Sequence, residues 1–144
     1  MRRVVVGTAA AGLLLSGCSQ GIYNLPLPGG ANLGGHPYEV TAKFSNALDL
    51  VPQAGVKVNN VAVGRVKKIS LERDGRTADV KLQINGNVHL PANAVARISQ
   101  TSLLGEKYVA LAAPTDVHPT GQLANGAVIS VTDTSPLEIG RAHV

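Results

Sequence analysis

The sequence predicts an all-β domain, a small barrel or sandwich of about seven short strands, behind an N-terminal leader and a flexible linker. Three observations predict it. Residues 38–44, 78–84 and 94–99 alternate apolar with polar side chains at the period of a half-buried strand. Between such runs lie turn signals, Asp74-Gly75, Asn85-Gly86 and Asn125-Gly126, in a chain with 16 glycines and 8 prolines. No stretch carries a sustained 3.6-residue apolar period. With 144 residues, one Phe and no Trp, the core has to be built from Val, Leu, Ile and Ala.

The leader comes first. Arg2 and Arg3 form a charged start, and residues 4–15 are an apolar run too short to cross a bilayer as a helix. It ends in Leu15-Ser16-Gly17-Cys18, which resembles the lipobox of bacterial lipoproteins. That resemblance implies a signal peptide over residues 1–17, acyl chains on Cys18, and an exported protein held on the cell membrane facing the periplasm or cell envelope. Two or more acyl chains give lasting attachment, since each buried CH₂ contributes about 0.8 kcal/mol. The alternative is an ordinary leader with an incidental cysteine. As the only cysteine, Cys18 has no partner for an internal disulfide. Residues 18–37 then read as a tether, with Pro26, Pro28, Gly29, Gly30, Gly34, Gly35 and Pro37 and no regular period.

The domain is expected over residues 38–131. In the first strand Val40, Ala42 and Phe44 share one face, and Glu39, Thr41 and Lys43 the other. Residues 47–51 read as a short apolar piece stopped by Pro52. Val56 and Val58 flank Lys57 ahead of a turn at Asn59-Asn60. Val61 and Val63 precede Gly64, which marks a bulge or tight bend. Residues 66–72 form another strand, with Ile69 and Leu71 on one side. The Asp74-Gly75 hairpin leads into Ala78, Val80, Leu82 and Ile84, in strict alternation with Asp79, Lys81 and Gln83. Ala94, Ala96 and Ile98 alternate in the next strand, residues 107–111 form another, and residues 128–131 a last one.

Between residues 99 and 107 sits the most telling stretch, Thr101-Ser102-Leu103-Leu104-Gly105. Adjacent side chains on a strand point to opposite faces, so Leu103 and Leu104 cannot both enter one core if extended. One of them, or both if the segment loops, needs another apolar surface. Burying a leucine is worth roughly 1.5–3 kcal/mol. Packing in the barrel core or against a neighbouring subunit is the plainer use of the pair. Gly105 is expected to be the hinge where a side chain would clash.

Other constellations are bland. His89, His118 and His143 have neither helical spacing nor a nearby cysteine, so no metal ligand set is expected. Neither a Gly-x-Ser-x-Gly elbow nor a phosphate-cradling loop occurs, and no catalytic residues or cofactor are expected. Glu106 and Lys107 read as an ion pair, solvated or between subunits. Arg65, Lys67 and Lys68 form a small basic cluster, a solvated face or a contact for anionic headgroups. The formal charge is +4, but Arg2, Arg3 and Arg141 lie outside the domain, and no basic stripe with aromatics points to nucleic acid.

The ordered set of residues 55–66, the Asp-Gly hairpin, Pro91-Ala92-Asn93-Ala94 and residues 102–109 resembles the MCE (MlaD-like) domain. With the lipobox, the chain looks like the lipoprotein subunit of an actinobacterial MCE system. The resemblance implies a seven-stranded β-barrel and a six-membered ring with other MCE subunits around a pore. It also implies an ABC-type permease and ATPase as partners, and lipids or sterols as cargo. It places residues 101–105 at the pore, with Leu103 and Leu104 on the lipid path. Asn60 departs from the glycine more usual there. A second function class is a surface lipoprotein for host-cell adhesion or invasion. The family usually continues into a long helical segment. Here residues 132–137 would be its start, and residues 138–144 read like a translated sequencing adapter, so a truncated gene is expected.

Overall fold

The computed structural model describes residues 30–131 and 134–135. Cys18, the leader, residues 18–29 of the tether and residues 136–144 lie outside the described residues. The chain forms β1 (Tyr38–Phe44), β2 (Gly55–Val58), β3 (Val61–Leu71), β4 (Ala78–Ile84), β5 (Val95–Gln100), β6 (Lys107–Ala112), β7 (Val128–Ile129) and β8 (Thr134–Ser135). All lie in one sheet, in the order β7-β1-β4-β3-β2-β6-β5-β8. The two ends of that order, β7 and β8, are near neighbours in sequence. Five residues span at most about 17 Å, so the sheet has to curl round on itself. The Thr134 hydroxyl helps, donating to the Lys43 carbonyl of β1 at 2.6 Å. Six strands and one broken C-terminal strand thus make the expected all-β curled barrel.

The core follows from the alternation. Val40, Ala42 and Phe44 of β1, Val80, Leu82 and Ile84 of β4, Ala96 and Ile98 of β5, and Val109 and Leu111 of β6 are all buried. β1 and β4 pair antiparallel with Val40 opposite Leu82 and Ala42 opposite Val80, which stacks these side chains inside.

β3 breaks the rule twice, and the breaks explain each other. Against β2 the register slips between Val56 and Lys57, and against β4 between Val66 and Lys68. Each bulge inserts one residue and reverses the facing pattern. Inward positions therefore run Val63, Val66, Ile69 instead of keeping period 2. Gly64 sits within this region, where a Cβ would lie 2.3 Å from the Gln83 carbonyl oxygen. Two expected strand pieces, residues 61–63 and 66–72, are thus one strand.

The turn at Asn59-Asn60 has positive φ at both residues, 49° and 63°, the geometry of a type I′ hairpin. Asparagine tolerates that region, so the missing glycine changes no fold feature. Residues 47–51 do not form a strand. Asp49 adopts φ 60°, Leu50 turns into the core, and Leu48 and Val51 stay outside. The last strand stops at Ile129 and resumes at Thr134.

Candidate functional site

Strand directions define two ends of the barrel. β1, β3 and β5 finish at one end, where β2, β4 and β6 begin. That end carries three loops, residues 45–54, 72–77 and 101–106. Among the described residues, five large apolar side chains stand exposed on these loops or at the strand tip: Leu48, Val51, Leu71, Leu103 and Leu104.

Leu103 and Leu104 are the extreme cases, with 96% and 100% of their surface exposed. Neither packs in the core of its own barrel. The loop holding them is small and internally bonded. The Thr101 N–H donates to the Glu106 carbonyl at 3.3 Å, and the Gly105 N–H donates to the Ser102 carbonyl at 2.9 Å. The Gln100 side-chain amide donates to the carbonyls of Leu103, at 3.1 Å, and Gly105, at 3.0 Å. A single side chain thereby satisfies two carbonyls and fixes the turn that pushes both leucines outward. Gly105 has no positive φ. Its role is space, since a Cβ there would lie 2.6 Å from the Ser102 nitrogen.

The loop is braced from the side. Lys107, at the start of β6, donates to the Leu48 carbonyl and pairs with Asp49 Oδ2, both at 3.0 Å. The lysine side chain is only 12% exposed, so its stem is packed while the ammonium ties the two loops together. Within the subunit Lys107 therefore pairs with Asp49 and not with the adjacent Glu106. At the next residue, Tyr108 lies under the Lys57 ammonium, 4.3 Å from ring centroid to nitrogen.

Two residues of this site escaped the sequence: Gln100, which shapes the loop, and Lys107 as a strap to residues 48 and 49. The one available signal was a glutamine abutting a glycine-closed loop. Elsewhere, His89 Nδ1 meets Gln122 Nε2 at 3.1 Å, and the His118 carbonyl accepts from Asn93. Among the described residues no three His, Cys, Asp or Glu side chains are grouped as metal ligands would be. The arrangement offers an apolar projection on a stiffened loop.

Comparison with known proteins agrees with this architecture. Residues 36–114 match the family described as MlaD protein. Lipoprotein LprN of Mycobacterium tuberculosis is 46% identical over 136 residues, covering 92% of this chain and 35% of LprN. The intermembrane phospholipid transport system binding protein MlaD of Haemophilus influenzae is 35% identical over 99 residues, covering 68% of this chain and 59% of that protein. The chain thus spans about a third of the one relative's length and under two thirds of the other's. A chain of the Acinetobacter MlaFEDB complex in an ATP-bound conformation has the same fold, with a TM-score of 0.64 at 21% identity. That match covers 78% of this chain and 82% of the other.

Proposed function

The chain belongs to the MlaD protein family, and on that premise we propose that it is the lipid-passing domain of an anchored envelope transport subunit. Its task is to shelter lipid or sterol while that cargo crosses an aqueous space. Each CH₂ exposed to water costs about 0.8 kcal/mol, so an acyl tail of ordinary length costs on the order of 10 kcal/mol. A continuous apolar wall removes that cost. One small barrel packs its interior with its own side chains. A ring of barrels, each projecting two leucines, makes such a wall, and a six-membered ring with other family subunits is the assembly we propose.

The observation that carries the reading is the full exposure of Leu103 and Leu104 on a braced loop. Two names support it. One relative is a lipoprotein and the other a phospholipid transport binding protein. An ABC-type permease and ATPase are the proposed partners, and a chain with this fold is part of a complex in an ATP-bound conformation. The subunit performs no chemistry on its cargo. Acyl chains on Cys18 hold it at the cell membrane, facing the envelope.

One experiment tests cargo and anchor together, using the full-length gene. Mass spectrometry of the purified assembly should find bound lipid or sterol, and an N-terminal peptide carrying acyl mass on Cys18. An assembly free of lipid would sink the transport reading, and an unmodified Cys18 the anchor.

A further inference from the structure

Strand β3 crowds positive charge where a regular strand would disperse it. Neighbouring residues on a strand normally point to opposite faces, yet the bulge between Val66 and Lys68 leaves both Lys67 and Lys68 exposed. Lys68 then falls directly opposite Lys81 of β4, a like-charge pair that opposes folding. Arg65 lies on the same strand and donates to Gln83, a neutral partner. The carboxylates facing this group are few. Glu39 of β1 is shared between Lys67 and Lys81, the latter at 4.0 Å. Asp79 is next along β4, but it pairs with Lys43 at 3.4 Å. Among the described residues Lys68 has no carboxylate partner. Among the described residues, Glu39 is thus the one carboxylate paired with this group of three lysines and an arginine, and it reaches only Lys67 and Lys81.

We propose that this outer face of β1, β4 and β3 is a docking surface for the anionic headgroups of a membrane. Position favours a membrane over an acidic protein. The cluster is in register with Thr41, three residues into β1 from Tyr38, hence roughly 10 Å from where the N-terminal segment enters the barrel. The flexible tether read from the sequence over residues 18–37 has a reach of about 25 Å. A domain anchored through it can therefore lay this face, which lies beside the entry of the tether, onto the headgroups. The choice of membrane rests on the proposed Cys18 anchor, while the charge cluster stands without it.

The test uses the mature chain from residue 18 with Cys18→Ser, so that no acyl group attaches it. Sedimentation with vesicles of phosphatidylcholine, with and without phosphatidylglycerol, reads the binding. Binding should require phosphatidylglycerol and fall as salt rises. Each lysine near an anionic surface is worth about fivefold, so Lys67→Gln, Lys68→Gln and Lys81→Gln together should weaken it on the order of a hundredfold. Glu39→Gln should strengthen it, which keeps the proposal testable if the triple variant folds poorly. Equal binding to both vesicles, or binding that ignores these changes, would overturn it, and so would binding to neither, which would point to an acidic protein partner instead. Neither result bears on lipid bound at Leu103 and Leu104, so the two proposals fail separately.

Discussion

Replacing Leu103 and Leu104 together with aspartate should leave the barrel folded and stop lipid passage. Both side chains are almost wholly exposed, so they contribute nothing to the core of their own domain. Surface substitutions of that kind change stability by about 0.5 kcal/mol or less. The loop keeps its shape, because its bonds run between backbone groups and the Gln100 side chain. What changes is the wall. A leucine contact with cargo is worth up to roughly 1.5–3 kcal/mol, and a carboxylate against a tail is unfavourable. Two such contacts per subunit put the expected loss of transfer at about tenfold or more. Denaturant unfolding and lipid transfer by the assembled complex are the paired measurements. Intact assembly with unchanged transfer would mean the leucines do not touch cargo.

The largest stability effect should come from Phe44→Ala. Phe44 is the chain's only phenylalanine, fully buried at the end of β1. The core around it consists of aliphatic side chains on a strand scaffold that collapses little, so a cavity remains. Phe→Ala at such a site costs about 3–5 kcal/mol, a large part of the stability of a domain this size. Leu71→Ala, at the same end of the barrel but 68% exposed, should cost about 0.5 kcal/mol or less. Urea unfolding midpoints of the two variants separate them. Similar midpoints would contradict the placement of the core.

How much of this was legible depends on whether local pattern or distant contact decides. β1, β4 and β5 were readable because none carries an extra residue of its own, the bulge opposite β4 lying on β3, so alternation maps directly to inside and outside. β3 was readable only in fragments, because two bulges shift the inward set from Val63 to Val66 to Ile69 and erase the period. Residues 47–51 looked like a strand from composition. Tertiary contacts chose a loop instead, with Leu50 inward and Asp49 at positive φ. The leucine doublet was legible as a conflict, since adjacent apolar residues cannot share one core, and the structure resolves the conflict by exposing both. The strap from Lys107 to Asp49 was not legible. It joins residues 58 positions apart, and no local rule names its partner.

The central claim is that cargo touches the projecting loop between β5 and β6. The most direct measurement places a photo-reactive amino acid at position 104 of the full-length protein, with position 117 as control. Val117 is also exposed, but it belongs to the connection at the opposite end of the barrel. Illumination of the working assembly should give lipid adducts at position 104 and none at 117. Adducts equally frequent at both positions, or absent from 104 while lipid is bound, would contradict the account.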